Sequence, residues 1–364
     1  TERTSDIKVF DLMYYDNGFI LRRPNDYEKF TLAEFVEQRK MSSIFRETEK
    51  WLDILGVGNV GALNKKIDQG ELVNLIMISE ALHEKKIAEI ADKICSKEDI
   101  KLVLIAGPSS SGKTTFANRL GIQLRVNGVI PVPISLDDYF VNRDQTPIDE
   151  NGEYDFETIE SVDTELFNKH LNLLLQGEEV EIPEFNFIKG EREWVGKKMK
   201  LPKNGVIIVE GIHALNDQMT SLIPKHQKFK IYIAPQAQIN LDNHNPISLT
   251  DLRLLRRIVR DNRTRGYSPS TTLNNWEDVR KGEEKYVFPY QDNANVMFNT
   301  SLAYELGVLK TYVEPLLYTV KADDPEYLTA RRLLELLKCV LPISSESVPQ
   351  ISIIREFIGG SYFE

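Results

Sequence analysis

Apolar positions along this chain follow two different rhythms. From residue 1 to about 95, short alternating pieces, Phe10-Asp11-Leu12-Met13-Tyr14-Tyr15 and Gly18-Phe19-Ile20-Leu21, precede segments at 32–38, 45–55 and 72–95 whose apolar residues recur at helical spacing. Residues 1–96 therefore read as a separate α+β unit, with a short joint at Ser96-Lys97-Glu98-Asp99. From there the pattern changes. Apolar runs of strand length at 102–106, Val129–Ser135, Val206–Val209, Lys228–Ile233 and Asn295–Phe298 alternate with helical patterns at 113–126, 164–176 and 249–263, and two more helices, 301–319 and 326–340, follow the last strand. Strands alternating with helices predict an α/β fold for 97–364, a parallel sheet flanked by helices with a C-terminal helical tail. The stretch Ile343–Glu364 has too little periodicity to assign.

One strand-to-helix junction carries chemistry. The run Leu102-Val103-Leu104-Ile105-Ala106 leads into Gly107-Pro108-Ser109-Ser110-Ser111-Gly112-Lys113-Thr114-Thr115, and an amphipathic stretch from Phe116 to Val126 follows. This is the GxxxxGK[ST] pattern in the placement that a phosphate-binding P-loop requires. The glycines let the backbone curl so that successive N–H groups point inward around a phosphate, while Lys113 reaches the β and γ phosphates and the Thr114 hydroxyl can ligate Mg²⁺. The segment reads as a site for a nucleoside triphosphate; the bland alternative is a Gly/Ser-rich turn that binds nothing.

Composition narrows the setting. With 41% hydrophobic and 27% charged residues, the 364-residue chain is ordinary for a globular protein. A net charge of -10 argues against nucleic acid or an anionic membrane as partners. Cys95 and Cys339 are far apart and lack metal-ligand spacing, which fits a reducing compartment, and no apolar run is long enough for a membrane span. The expectation is a cytoplasmic protein acting on a small molecule, with homo-oligomerisation left open.

Ligands of open α/β sheets sit at the carboxyl ends of the strands, so carboxylates just past each strand come into question. Asp137 and Asp138 follow the second strand, Glu210 ends the third, and Gly152-Glu153-Tyr154-Asp155-Phe156 lies between them. Phosphoryl transfer needs one carboxylate near the acceptor hydroxyl and another near Mg²⁺; Asp137 and Glu210 suit those roles. A solvated turn or helix cap is the structural alternative for Asp137-Asp138. At helical spacing Arg253, Arg256, Arg257 and Arg260 share one stripe and Leu254, Leu255, Ile258 and Val259 another, which predicts one packed and one cationic face. Such a stripe can clamp phosphate oxygens, or it can be a solvated face paired with Asp251 and Asp261. His83, His170, His213, His226 and His244 lack zinc-site spacing, although His213 and His244 could border the pocket; Phe185, Phe187, Trp194, Tyr286, Phe288 and Tyr290 could stack a base.

Taken in order, GPSSSGKTT, SLDDYF, YDFE, the stretch from Ile182 to Arg192, VIIVEGIHAL and DLRLLRRIVRDNRTRG resemble the uridine kinase and phosphoribulokinase family over about 200 residues. That resemblance implies an ATP- and Mg²⁺-dependent kinase for a nucleoside or sugar, with a mobile arginine-bearing lid. It implies Asp137 as catalytic base alongside Lys113 and Arg257, and Asp155, Phe185, Arg192 and Arg253 as substrate contacts. Arg260 and Arg265 would act as lid or phosphate residues, and Thr114 and Glu210 as metal ligands. Uridine or cytidine is the acceptor it points to, although Phe185 stands where animal-type uridine kinases typically have Tyr, and their His near Gly190 is missing. The rival readings are a kinase for a phosphosugar or other small hydroxyl compound, and a nucleotide-binding regulatory or RNA-binding module without catalysis. The stretch 276–310, with Trp276, Gly282-Glu283 and Phe288-Pro289-Tyr290-Gln291, resembles a subgroup in which the kinase follows a region similar to threonyl-tRNA synthetase amino-terminal domains. Residues 10–95, notably Glu80-Ala81-Leu82-His83-Glu84-Lys85-Lys86, are consistent with the last part of such a region. The synthetase's metal-binding or editing pattern is absent there, so no activity is carried over.

Overall fold

The computed structural model describes residues 9–15, 18–24, 31, 32, 34–148, 152, 154–236 and 239–364. Residues 1–8 of the expected first unit, residue 33 and Glu153 lie outside the described residues. The two alternating pieces near the start pair as an antiparallel hairpin, β1 (Asp11–Tyr15) with β2 (Gly18–Arg22), and Arg22 bonds Asp11 across it at 2.9 Å. Three helices follow: α1 (Arg39–Leu55), α2 (Val60–Asp68) and α3 (Leu72–Cys95). The helix expected at 32–38 is not formed at 34–38; α1 begins after it and absorbs the 45–55 pattern. Helix α2 went unforeseen because it is short, yet its start is well defined, with the Asn59 side chain accepting the Ala62 N–H.

The expected sheet is present, each strand within one or two residues of its apolar run. In chain order the elements are β3 (Leu102–Ala106), α4 (Lys113–Val126), β4 (Ile130–Ser135), α5 (Thr164–Leu175), β5 (Glu179–Glu181), β6 (Glu184–Asn186), β7 (Glu191–Glu193), β8 (Lys198–Lys200), β9 (Gly205–Glu210) and β10 (Lys228–Ala234). They continue with α6 (Leu249–Thr264), α7 (Pro269–Asn274), α8 (Trp276–Tyr286), β11 (Val296–Asn299), α9 (Glu305–Leu317), α10 (Tyr327–Lys338) and α11 (Arg355–Ile358). Five strands pair in parallel in the order β11-β10-β3-β9-β4. Strands β3, β9 and β10 are buried along nearly their whole length, which is why β3 and the core of β9 read as unbroken apolar runs and not as alternation. The connection out of β3 runs to one edge and the connection out of β9 to the other side, so the order reverses beside β3 and opens a crevice at the carboxyl ends of β3, β9 and β4.

Two short antiparallel pairs, β5 with β8 and β6 with β7, stand off the main sheet; three-residue strands carry too little pattern to be seen in sequence. Helix α3 is not peripheral. Its Ile87, Ile90 and Ile94 are buried with Phe116, Leu120 and Leu124 of α4 and with β3, and the buried Arg119 of α4 reaches back to Glu80 at 3.2 Å and Glu84 at 2.7 Å. Packing therefore runs across the Ser96-Asp99 joint without a break. The unassigned tail also joins the core: Ile353 and Phe357 are fully buried in the cluster that holds Phe116. Among the described residues no helix is long and apolar enough to cross a membrane.

Candidate active site

The loop between β3 and α4 is built around two glycines that no other residue could replace. A Cβ on Gly107 would lie 1.9 Å from the Ile233 carbonyl oxygen, so β3 and β10 approach this closely only with hydrogen there. Gly112 opens α4 at φ 88°. Between them Ser110, at φ 58°, is the one non-glycine of positive φ among the described residues. A side chain in that region costs on the order of 1–3 kcal/mol and persists only where its surroundings enforce it. Alternating handedness turns successive amides toward a common centre, the backbone form of an anion seat. The buried hydroxyls of Ser110 and Ser111 have no partner among the described residues. The Lys113 ammonium donates to the carbonyls of Gly107, at 3.2 Å, and Pro108, at 3.4 Å.

A carboxylate faces this seat from the next strand. Glu210 ends β9 beside the ends of β3 and β4, and its Oε1 accepts the hydroxyls of Thr114 and Ser135, each at 3.1 Å. Burial pushes its pKa up to about 7; the negative charge of Asp137 adds to the push and Lys113 opposes it. Carboxylate and hydroxyl oxygens suit Mg²⁺, and a divalent cation would reverse the penalty that burial imposes. Among the described residues no group of three or more His, Cys, Asp or Glu is spaced to hold a metal by itself, so a cation here would take its other ligands from phosphate and water. Ser135 was not singled out in sequence, although its place at a strand end just before Leu136-Asp137-Asp138 was a usable signal.

Asp137 sits in a short 3₁₀ turn after β4, its N–H directed at Ser135 Oγ, 3.3 Å away. Its charge acts on Glu210, Glu157, His213 and Arg265, which places its carboxylate among them. Glu157 is a second carboxyl pushed up by burial to about 7, with Arg257 pulling the other way, and its Oε2 is buried without a hydrogen-bond partner among the described residues. Asp155 positions that segment, its Oδ1 accepting the amides of Glu157 at 3.0 Å and Thr158 at 3.1 Å. Burial lowers His213 to about 4, so near neutral pH it faces this group uncharged. His244 instead lies in an exposed turn capped by Asp242.

The arginine stripe is the main correction. Arg253, Arg256 and Arg257 are 5%, 0% and 8% exposed, so the face expected to be openly cationic is buried beneath the phosphate loop and matched by acids. Arg253 donates to the Ser109 carbonyl at 3.1 Å and pairs with Glu283 of α8, whose Oε1 also accepts the Ser109 N–H at 2.8 Å. Arg256 pairs with Glu305 at 2.7 Å and donates to the Ser110 carbonyl at 3.3 Å. Arg257 donates to Ser109 Oγ at 2.5 Å and pairs with Asp261 at 3.1 Å. Asp261 also holds Arg260 at 2.7 Å and Arg265 at 3.6 Å; burial raises its pKa, but the three cations outweigh that and the net shift is downward. Asp251, the other expected helical partner, is taken by Arg332 of α10. One of two adjacent glutamates, Glu283 and Glu284, in a charged helix gave no hint of this role; only α8 packing against the loop brings Glu283 there.

The β6–β7 hairpin carries Phe185 and, in its turn, Phe187, whose rings lie 5.2 Å apart and meet Phe140 at 5.6 and 6.4 Å. Arg265, at the end of α6, stacks over Phe187 at 4.8 Å and so ties the arginine helix to this pair across the cleft. Arg192 donates to Asp163 at 2.9 Å. Thr115, last residue of the motif, gives its N–H to Glu356 Oε2 of α11 at 2.9 Å.

Residues 102–303, more than half of the chain, match the Phosphoribulokinase / Uridine kinase family. A uridine kinase of Staphylococcus aureus (strain JH9) is 29% identical over 197 residues, 54% of this chain and 86% of that protein. Among solved structures, one described as a possible uridine kinase from Bacillus stearothermophilus aligns with TM-score 0.40 at 18% identity, over 59% of this chain and 97% of that one. A D-glycerate 3-kinase from Cryptococcus neoformans var. grubii aligns with TM-score 0.28 at 13% identity, over 73% and 89%.

Proposed function

The chain belongs to the phosphoribulokinase / uridine kinase family, and on that premise we propose that it transfers the γ-phosphate of ATP to the 5′-hydroxyl of a nucleoside, uridine or cytidine before others. The observation that carries the reading is the convergence of the phosphate loop, the buried Glu210 with its two hydroxyl donors, and Asp137 on one crevice. ATP lies with its phosphates against the amides of Ser110 through Thr115, and Lys113 leaves the Gly107 and Pro108 carbonyls for the β and γ oxygens. Thr114 and Glu210 would hold Mg²⁺, with Ser135 in reach; bound there, the cation supplies charge neutralisation at the phosphates. Asp137 orients the acceptor hydroxyl and takes its proton as that oxygen bonds to the γ-phosphorus and the bond to the bridging oxygen breaks, releasing ADP. Arg257, Arg260 and Arg265 offset charge on the transferring group from the α6 side. Asp155, Phe185 and Arg192 border the acceptor, and Arg253 acts through the loop it supports.

The charge pattern favours an uncharged acceptor over a phosphosugar. Arg192, the cation placed beside the acceptor, already answers Asp163, while Asp137 adds negative charge to the same space. The family match begins at residue 102, so a threonyl-tRNA synthetase-like character for the preceding segment is part of this proposal and not of the match. Turnover measured on a panel of nucleosides, free sugars and phosphosugars tests it. Nucleosides should lead; a phosphosugar turned over faster than every nucleoside would overturn the assignment. Salt-sensitive RNA affinity together with ATP binding and no transfer would favour the regulatory reading instead.

A further inference from the structure

The chain's tail places a carboxylate on an amide that a nucleotide needs. Helix α4 begins at Gly112, which has no side chain to cap its first turn, so the N–H groups there are unsatisfied from within the helix. Glu356 of α11 supplies the missing acceptor, its Oε2 lying 2.9 Å from the Thr115 nitrogen. The approach is fixed on both sides of that residue. Ile353 packs onto Gly112 so closely that a Cβ there would come within 2.5 Å of its Cγ2, and Phe357 is fully buried in the core. Arg263 of α6 grips the backbone from above, donating to the carbonyls of Glu356 at 3.1 Å and Phe357 at 3.2 Å. The backbone of α11 is thus pinned, and only the side chain of Glu356 is free to turn away.

We infer that Glu356 is an affinity-setting residue of the nucleotide site, an internal anion that occupies the amino end of α4 and must be displaced by a nucleotide phosphate. The inference rests on the phosphate-loop reading above and goes beyond it, since it assigns a role to a segment outside the family match. The physical reason is shared chemistry. A carboxylate and a phosphate seek the same amide hydrogens and the same positive end of a helix dipole, and two anions cannot share them without repulsion.

The test is titration calorimetry of ADP with Mg²⁺ against wild type, Glu356→Gln and Glu356→Ala, with thermal unfolding of each free protein measured alongside. Glu356→Ala should bind ADP about tenfold more tightly, the ratio expected for removing one competing charge-assisted hydrogen bond. Glu356→Gln, which keeps the shape and loses the charge, should fall between. The unfolding temperature of free Glu356→Ala should drop because a helix cap is lost, so a gain in affinity cannot be ascribed to a firmer fold. Equal or weaker ADP binding by Glu356→Ala overturns the inference and leaves Glu356 as a cap alone. Absence of ADP binding in all three proteins overturns the nucleotide-site reading and this inference with it.

Discussion

Replacing Glu210 with Gln separates the proton from the cation at the centre of the site. Burial raises the wild-type carboxyl from 4.5 to about 7. A carboxyl raised in this way holds its proton more tightly in the folded chain than in the unfolded one. Stability is therefore intact below about pH 4.5, falls as pH rises through the interval to about 7, and stays reduced above it. At about 1.36 kcal/mol per pH unit, the loss at about pH 8 is on the order of 3 kcal/mol. Glutamine has the shape of the protonated acid and escapes the loss. Denaturant unfolding of the free proteins should find E210Q more stable than wild type by that order at about pH 8, and the two nearly equal near pH 4. Mg²⁺ with ADP should then reverse the ranking, stabilising wild type by mass action and E210Q far less. Glu157 is raised in the same direction and remains in both proteins, so the difference between them isolates Glu210. Equal stability at about pH 8 would show that burial does not act on this carboxyl, and equal stabilisation by Mg²⁺ and ADP would remove it from the metal site.

Asp137→Asn should lower kcat by about a hundredfold or more and leave ATP affinity mostly intact, read by steady-state kinetics and ATP titration; unchanged turnover would exclude the base role. Glu283→Ala leaves Arg253 buried without its acid and the Ser109 N–H without its acceptor, so unfolding should cost about 3–5 kcal/mol less than in wild type, whereas Glu283→Gln should lose less. A surface-like loss below about 1 kcal/mol would contradict the buried pairing. Phe187→Ala removes the ring beneath Arg265 and should raise the acceptor KM about tenfold while the KM for ATP moves by about twofold at most. Equal changes in both would place the ring outside the acceptor side.

Much of this molecule was legible in its sequence because the relevant forces are local. Central strands buried on both faces must be largely apolar, so β3 and β9 announced themselves and β4, β10 and β11 fell in the same alternation with helices, and the phosphate loop is specified by residues adjacent in the chain, with a glycine at 107 where a Cβ would meet backbone. The placement of Asp137 and Glu210 followed from one topological rule, that chemistry gathers at strand carboxyl ends. What sequence could not supply was which charges meet. Arg253, Arg256, Arg257, Glu283 and Glu305 each look like solvated helix residues when read along the chain, because helical spacing shows a shared face but not what covers it. Only the packing of α6 between the phosphate loop, α8 and α9 removed that face from water and made pairing obligatory, since a buried charge without a partner is too costly to keep. The same holds for Glu356, far from the loop in sequence, whose position on the Thr115 amide depends on where the tail docks.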